Sequence, residues 1–325
     1  MTRLGYQLPN FTYPGVGPEE LFDVVAAQAS AADRSGFDTV LLMDHFYQLP
    51  HLGDPSAYML ECYTTLGALA RETRNVRLGA LVTGNTYRNP ALLAKTITAL
   101  DIVSNGRAQL GIGAGWFDVE HASLGFEFGT FTDRFEKLEE ALQIILPMLR
   151  GERPSLDGKH YTVNNAMNEP NPIGRIPVMI GGSGEKKTLR MVAQYADEAN
   201  LTSPVTELEH KLEVLAGHCE RLGRDRKEIK LSQHLNVVIA DTHEEAYADM
   251  GNFLGERGMN LETMPEELSQ QILSMVTWGN PDEVGEKLSA VMAKGAEGIT
   301  CSLPANGWIP GRVELLGATA SRAIG

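Results

Sequence analysis

Short apolar segments rich in β-branched residues recur along this chain, and turn residues follow each of them. Such runs of four to eight residues are typical of buried strands. Eight segments have this pattern, at residues 4–8, 38–43, 76–82, 107–113, 176–181, 198–202, 229–240 and 298–303. Strands that alternate with helical segments favour a parallel sheet, so this pattern is the first indication of the fold class.

Segments with apolar residues at helical spacing lie between the predicted strands. In residues 18–36, Leu21, Val25 and Ala32 share one face and Gly36 is expected to end the helix. The other segments of this kind are residues 89–106, 133–149, 185–197 and 280–295. Eight strands, each followed by a helix, predict an α/β protein with the (β/α)8 TIM-barrel fold.

The chain is longer than a bare barrel. A TIM barrel takes about 250 residues, which leaves roughly 75 of the 325 for insertions. One insertion is expected at residues 150–175, which are rich in Pro and Asn and follow the fourth strand and its helix. The other is the helical, Met-rich segment 244–278 after the seventh strand. No linker or internal repeat divides the sequence, so we expect one barrel domain over residues 1–325.

Composition restricts the kind of partner. The formal net charge of −14 argues against nucleic acid and against an anionic membrane surface, since both are bound through clustered Lys and Arg. Cys62, Cys219 and Cys301 have no metal-ligand spacing and predict neither a metal site nor a disulfide framework. The sequence has no signal-peptide pattern and no long apolar stretch. We therefore expect a cytoplasmic protein that binds a small-molecule substrate.

Asp44 and His45 follow the second predicted strand, in the sequence LLMDHFYQLP. The ligand site of a TIM barrel lies at the C-terminal ends of its strands, so this pair is expected at the functional rim. Taken alone, the pair also fits a capping aspartate and a satisfied polar residue in a loop. The third strand precedes TGNTYRNP, in which Asn89 is expected to cap a helix and Pro90 to be its first residue.

Glycine-rich sequences follow the fourth and fifth strands. GIGAGW, at residues 111–116, lets the backbone approach a flat ligand closely. It is not a Rossmann fingerprint, because no acidic residue at the end of a second strand completes the motif. GGSGEKKTLR, at residues 181–190, opens into a predicted helix, where free N–H groups and the Ser183 hydroxyl favour a phosphate site. A tight strand-to-helix turn is the alternative for this second motif.

In this order, DHF, YRNP, GIGAGW and GGSG resemble the luciferase-like flavin and deazaflavin oxidoreductases, in particular their branch dependent on coenzyme F420. The likeness continues to WGNPDEVGEKL and so covers essentially the whole chain. The resemblance implies a barrel with an insertion after the seventh strand and a coenzyme ring over the third and fourth strands. We also expect a homodimer.

The resemblance further implies roles for individual residues. Asp44 and His45 match the pair near the reactive face of the ring, and both are expected to be catalytic. Ala80 and Leu81 match a non-prolyl cis peptide behind the ring. The other implied coenzyme contacts are Thr83 and Asn85 at the ring or ribityl chain, Gly113 and Gly115 in the glycine motif, and Gly181, Gly182, Ser183 and Gly184 at the phosphate.

One position departs from the sugar-phosphate dehydrogenases of this family. Their acidic glutamate after the glycine motif of the fourth strand is replaced here by Trp116, so oxidation of a sugar phosphate is not expected. Glu120 is a candidate substitute acid. Histidine ordinarily titrates near neutrality, so His45 is expected to handle the proton that accompanies hydride transfer, with Asp44 orienting its ring. We expect reduction of an activated C=C, C=N or C=O bond.

Two other classes of protein fit the same barrel. An FMN-dependent monooxygenase would bind FMN in place of F420 and would need a reductase partner, and oxygen consumption with reduced FMN would reveal it. A non-catalytic flavin-binding protein would bind the coenzyme without turnover. The second class is less favoured, because such a protein has no need for ionisable residues at the barrel rim.

Overall fold

The computed structural model describes residues 3–325. Its strands in chain order are β1 (Leu4–Leu8), β2 (Thr39–Leu42), β3 (Arg77–Ala80), β4 (Thr83–Gly84), β5 (Leu110–Gly113), β6 (Leu156–Asp157), β7 (Thr162–Val163), β8 (Val178–Gly181), β9 (Glu198–Leu201), β10 (Lys230–Ile239), β11 (Thr277–Gly279) and β12 (Gly298–Ser302). Its helices are α1 (Pro18–Arg34), α2 (Cys62–Glu72), α3 (Pro90–Ser104), α4 (Asp118–Leu124), α5 (Phe131–Leu149), α6 (Thr188–Tyr195), α7 (Leu208–Leu222), α8 (His243–Gly255), α9 (Glu266–Ser274), α10 (Pro281–Ala293) and α11 (Arg312–Ile324).

The strands build a parallel barrel. Within residues 3–325, ten strands form one sheet in the order β3-β2-β1-β12-β10-β9-β8-β5-β4, with β11 beside β10. Every strand pair in this sheet is parallel. A bridge between Leu78 and Ala108 brings the two edges of the sheet together. With β3 and β4 taken as one interrupted strand, the described residues contain the eight barrel strands that the sequence predicts.

The interruption between β3 and β4 is a β-bulge. Leu78 pairs with Ala108, and Thr83 pairs with Ile112. The chain advances by five residues from Leu78 to Thr83, whereas the neighbouring segment advances by only four from Ala108 to Ile112. One residue of the first segment therefore has no partner in the ladder. The bulge changes the direction of the chain near the C-terminal end of the barrel, where a ligand site is expected.

The cis peptide bond within the bulge joins Leu81 and Val82. The predicted position, between Ala80 and Leu81, is wrong by one residue. Ala80 still pairs in register with Leu42 of β2, so the chain leaves the regular ladder only after Ala80. A sequence motif does not indicate at which residue the hydrogen-bonded ladder between two strands is interrupted.

Local capping signals fix several helix ends. Asn89 caps α3 by accepting a hydrogen bond from the N–H of Ala91 at 2.9 Å, and Pro90 is the first helical residue, as predicted. The helix predicted directly after GGSG begins only at Thr188, because residues 185–187 form a turn. The glycine-rich sequence therefore ends in an open turn before the helix starts.

Both predicted insertions are present. Residues 150–175 contain the antiparallel pair β6 and β7. Residues 244–278 contain most of α8, all of α9 and the start of β11. Arg257, just after α8, donates a hydrogen bond to the carbonyl of Leu52 in the long segment that follows β2. The second insertion is thereby tied to the C-terminal end of the barrel.

The core lies between the barrel strands and the surrounding helices. Leu42, Leu78 and Leu110 on neighbouring barrel strands are fully buried. Cys62, Cys219 and Cys301 are buried free thiols, in line with the absence of a disulfide framework. No helix within residues 3–325 combines the length and the apolar character needed to cross a membrane.

We predict that Gly111→Ala destabilises the barrel. A Cβ at Gly111 would lie 2.0 Å from the carbonyl oxygen of Ala80, so β3 and β5 would have to separate. Overpacking of this kind costs about 1–3 kcal/mol. Gly67 in α2 is the matched control, because a Cβ there meets nothing within 4 Å and alanine favours a helix. The thermal midpoint should fall for Gly111→Ala and stay or rise for Gly67→Ala; equal midpoints would contradict the close approach.

Candidate active site

A cavity of about 450 Å³ opens at the C-terminal ends of the barrel strands. This is the end of the barrel at which TIM-barrel enzymes bind their ligands. Residues in or directly after the barrel strands form most of its wall: Gln7, Met43, Asp44, His45, Leu81, Val82, Thr83, Gly115, Trp116, Gly181, Gly182, Asn200, Thr202, His234 and Asn236, together with Leu49, His51 and Leu52 from the segment after β2.

A wider cleft of about 1180 Å³ adjoins this cavity at Leu52. It lies between the segment after β2, helix α8 and the segment after β12. It is lined by none of the predicted site residues. The smaller cavity is therefore the candidate active site.

The cavity collects many of the predicted site residues but not all of them. Those that line it are Asp44, His45, Leu81, Thr83, Gly115, Gly181 and Gly182. Ala80, Asn85 and Gly113 are buried outside its lining. Ser183 and Gly184 form the turn directly after Gly182. The wall position expected for Ala80 is occupied by Val82, because the bulge lies one residue further along the chain.

Glycines on neighbouring strands make room for Val82 at the cavity wall. A Cβ at Gly113 would lie 2.9 Å from Cγ2 of Val82, and a Cβ at Gly181 would lie 2.7 Å from Cγ1. At Gly111 the distance to Cγ1 would be 3.4 Å. The glycines of GIGAGW and GGSG therefore leave the space that the Val82 side chain occupies. Gly113 does not line the cavity itself, but it allows Val82 to do so.

Asp44 is buried and bound by Arg88. Nη1 of Arg88 lies 2.6 Å from Oδ2, Nη2 lies 2.9 Å from Oδ1, and the N–H of Gly84 donates to Oδ2 at 3.0 Å. Burial raises the pKa of Asp44, although Arg88 favours the charged form. The hydrogen bond from His45 goes to another carboxylate, so the expectation that Asp44 orients that ring is wrong. Asp44 instead ties the end of β2 to the segment after β4.

Glu120 holds the ring of His45. Its Oε2 lies 2.9 Å from Nδ1 of His45 and also accepts from the hydroxyl of Tyr87. Its Oε1 accepts from the backbone N–H groups of Phe46 and Tyr47. An ionised carboxylate can only accept, so Nδ1 of His45 carries a proton and donates it. This leaves Nε2 as the ring nitrogen available to a ligand.

The same hydrogen bonds decide the charge of Glu120. Burial raises the pKa of this carboxyl, but the hydrogen bonds from His45 and Tyr87 outweigh burial and hold the pKa below its ordinary value of 4.5. Glu120 is therefore anionic at neutral pH and is unsuited to donating a proton. The candidate role as a substitute acid is corrected: Glu120 is a positioning residue for His45.

The turn after Gly182 offers backbone donors. The N–H groups of residues 183–186 make no hydrogen bond within the part of the chain that the structure describes, whereas that of Gly182 donates to the carbonyl of Asn200 at 3.0 Å. Oγ of Ser183 accepts from the N–H of Thr202 at 3.1 Å, which leaves the Ser183 hydroxyl proton for a ligand. Free donors in a row fit an anionic group such as a phosphate.

His51, His234 and Val82 line the cavity and were missed by the sequence analysis. The sequence motifs lie at strand ends, whereas His234 lies inside β10. A signal for His234 does exist, because Ser232, Gln233 and His234 form a polar run inside the strand predicted at residues 229–240. A polar run inside a buried strand is typical of residues that face a barrel interior or a ligand.

Comparisons with known proteins agree with the fold and the motifs. The sequence profile described as luciferase-like monooxygenase matches residues 2–298. The F420-dependent glucose-6-phosphate dehydrogenase of Microbacterium testaceum (strain StLB037) is 31% identical over 248 residues, which cover 75% of this chain and 70% of that protein.

Solved structures share the architecture. The coenzyme F420-dependent tetrahydromethanopterin reductase from Methanopyrus kandleri superposes with a TM-score of 0.75 at 19% identity, covering 100% of this chain and 99% of that one. The monooxygenase RslO1 from Streptomyces bottropensis gives a TM-score of 0.81 at 17% identity, covering 97% and 96%. At these identities the likeness shows a common fold.

We predict that Glu120→Gln lowers stability at neutral pH by about 1–3 kcal/mol, because an amide cannot satisfy all the buried donors. The folded-state pKa of Glu120 is depressed, so its carboxylate stabilises the fold above the unfolded-state pKa. This contribution is lost as the pH falls through the folded-state pKa. Thermal midpoints of the parent and Glu120→Gln should differ at neutral pH and approach each other as the pH falls below the ordinary carboxyl pKa of 4.5.

Glu127→Gln is the control for this measurement. The Glu127 carboxylate is 81% exposed and pairs with Lys137 at 3.0 Å, so its loss should change the midpoint little. If the thermal midpoint of Glu120→Gln equals that of the parent at neutral pH, the hydrogen bonds to the Glu120 carboxylate do not stabilise the site.

Proposed function

The chain belongs to the luciferase-like monooxygenase family, and from that premise we propose that it is an enzyme that transfers a hydride between coenzyme F420 and a small organic substrate. Curated relatives are named F420-dependent glucose-6-phosphate dehydrogenases. The observation that carries the proposal is one cavity with His45, held by a buried carboxylate, in its wall and a turn with free backbone N–H donors at its rim.

The residues present fit this coenzyme. Leu81 and Val82 offer an apolar support for one face of a flat ring, and Gly115 and Gly181 offer backbone without side chains. The donors of residues 183–186 suit a phosphate. When bound, coenzyme F420 supplies a ring carbon that gives or accepts a hydride in a two-electron step.

His45 is the group we assign to the accompanying proton. Glu120 fixes the proton on Nδ1, so Nε2 is the atom at which a proton passes to or from a substrate. The rings of Trp116 and Phe117 lie edge-on to the imidazole, with centroids 5.7 and 5.8 Å away. These edge-on contacts, with the hydrogen bond to Glu120, support one orientation of the imidazole. We propose the reducing direction, in which His45 protonates the substrate atom next to the carbon that gains the hydride.

The choice between F420 and FMN is tested by titrating the purified protein with both. Tighter binding of F420 is the expected result. Tighter binding of FMN, with oxygen consumed when reduced FMN is added, would instead identify an FMN-dependent monooxygenase. The homodimer is likewise a proposal, and sedimentation velocity tests it.

We predict that Gly184→Asp weakens F420 binding about tenfold or more relative to Gly184→Asn, a difference of about 1.4 kcal/mol. The added carboxylate would lie beside the free donors and repel the phosphate, whereas the amide has the same size without charge. Gly184 suits this test, since its φ is not positive, unlike Gly182 with φ of 114°. If the two variants bind F420 with equal affinity in a fluorescence titration, the phosphate of the coenzyme does not bind at this turn.

We predict that His45→Ala reduces turnover about 100-fold to 10,000-fold with little change in coenzyme affinity, because it removes the proton donor. The measurement is single-turnover oxidation of reduced coenzyme at saturating coenzyme, with a substrate found from a panel of activated alkenes, imines and ketones. His243→Ala, which removes an exposed histidine beside Trp278, is the control. Parent-like turnover of His45→Ala would leave His45 as a wall of the coenzyme site.

A further inference from the structure

We propose that two residues of helix α7, Lys211 and His218, position the backbone donors that receive the phosphate of the coenzyme. Both bind Glu185, which lies in the turn after Gly182. The inference rests on the proposed function, because it concerns the phosphate of the same coenzyme. It adds two positioning residues that lie outside the lining of the cavity and outside the sequence motifs.

His218 holds the carbonyl group of Glu185. This oxygen can only accept, so Nε2 of His218, at 2.8 Å, carries a proton and donates it. Nη2 of Arg221 lies 2.9 Å from Nδ1 of the same ring, and a guanidinium can only donate, so Nδ1 accepts. The ring is therefore neutral, its proton is on Nε2, and both of its nitrogens have partners.

The direction of the Lys186 N–H follows from this contact. In a planar trans peptide the C=O and N–H groups point in opposite directions. The carbonyl of Glu185 points to His218 on α7, so the N–H of Lys186 points away from α7. The preceding carbonyl, of Gly184, accepts from the N–H of Leu189 at 3.0 Å, so the N–H of Glu185 points away from the start of α6. These two N–H groups are among the free donors of the turn.

Lys211 binds the charge of Glu185. Its ammonium lies 2.6 Å from Oε1 of Glu185 and 3.2 Å from Oε2 of Glu207, and only 10% of its side chain is exposed. The hydrogen bond between them lowers the pKa of Glu185 and raises the pKa of Lys211, so both are charged at neutral pH. An unpaired carboxylate at residue 185 would repel a phosphate at the neighbouring donors. Lys211 compensates this charge and holds it against α7.

The turn needs these restraints because it has no regular structure of its own. Residues 183–187 lie between β8 and α6, and the N–H groups of residues 183–186 make no bond that would fix their direction. One end is held by Ser183, whose Oγ accepts from the N–H groups of Thr202 and Ser203 at 3.1 and 2.9 Å. The contacts of Glu185 with α7 hold the other end. Donors that are already oriented bind an anion at a smaller entropic cost.

The first test observes the N–H of Lys186 directly. In protein labelled with ¹⁵N-lysine, the amide signal of Lys186 is assigned by its loss in Lys186→Arg. Adding F420 should move this signal. The fragment of F420 that ends at the ribityl hydroxyl has the same ring but no phosphate, and it should leave the signal in place. An unchanged signal with bound F420, or the same change with both ligands, would overturn the proposal.

The second test replaces His218. In His218→Leu the hydrogen bond to the carbonyl of Glu185 is lost, so the ratio of the affinities for F420 and for the fragment should fall about tenfold. His218→Gln should keep most of this ratio, because its NH2 group can donate to the same oxygen. His243→Leu, which removes a half-exposed histidine of α8, is the control and should keep the parent ratio.

Three results would contradict the role of His218. They are a parent-like ratio in His218→Leu, an equal loss of affinity for both ligands, and a ratio in His218→Gln as low as that in His218→Leu. If His218→Leu fails to fold, His218→Asn replaces it, since its shorter amide does not reach the carbonyl.

The third test concerns the charge of Glu185. Lys211→Met should lower the same affinity ratio about tenfold, because it leaves the carboxylate unpaired beside the donors. Adding Glu185→Gln to this variant should restore the ratio. Lys137→Met is the matched control, since the Lys137 side chain is also 10% exposed and pairs with a glutamate, Glu127, at 3.0 Å. A parent-like ratio in Lys211→Met, or no recovery in the double variant, would overturn the role of Lys211. If Lys211→Met fails to fold, Lys211→Gln replaces it.

The proposed function can fail separately. If F420 does not bind, hydride transfer with F420 is excluded, and the measurements are repeated with FMN and riboflavin, which also differ by a phosphate. A Lys186 signal that moves with FMN alone, and a ratio that falls in His218→Leu, would still support the role of α7.

If FMN does not bind either, inorganic phosphate is the probe. A change of the Lys186 signal that is lost in His218→Leu would support the proposal. An unchanged signal at the highest phosphate concentration that leaves the protein folded would overturn it.

Discussion

The buried carboxylate of Glu120 is the constraint on which the site depends. A charge inside a protein is tolerated only when donors surround it, and here the donors come from separate segments of the chain. His45, Phe46 and Tyr47 follow β2, and Tyr87 follows β4. Satisfying one charge therefore fixes the relative position of these segments. The orientation of the His45 ring follows from this requirement.

A second set of contacts joins the bulge to the rest of the barrel mouth. Val82 fills the space left by glycines on β5 and β8, and the carbonyl of Leu81 accepts from Gln7 on β1. Through Ser302 this connection reaches His234 on β10. One irregularity in a strand thus shapes an apolar wall on one side of the cavity and is connected by hydrogen bonds to His234 on the other.

These two networks divide the cavity by chemistry. His45 presents a nitrogen suited to exchanging a proton, whereas His234 is held neutral with its bare nitrogen buried. His234 is neutral because it is buried. The partners decide which ring nitrogen carries the proton: an anionic carboxylate faces Nδ1 of His45, and a serine hydroxyl that has already donated its proton faces Nε2 of His234.

The sequence by itself determined the barrel, the strand order, the insertions and the cap at Asn89, because periodicity and capping are set by residues close together in the chain. It also placed His45 at the strand rim. Only the tertiary structure decided that Glu120 holds His45, across 75 residues, and that Ser302 holds His234, across 68. Such partners are chosen by packing and by the need to satisfy buried charges and donors, and neither leaves a local pattern.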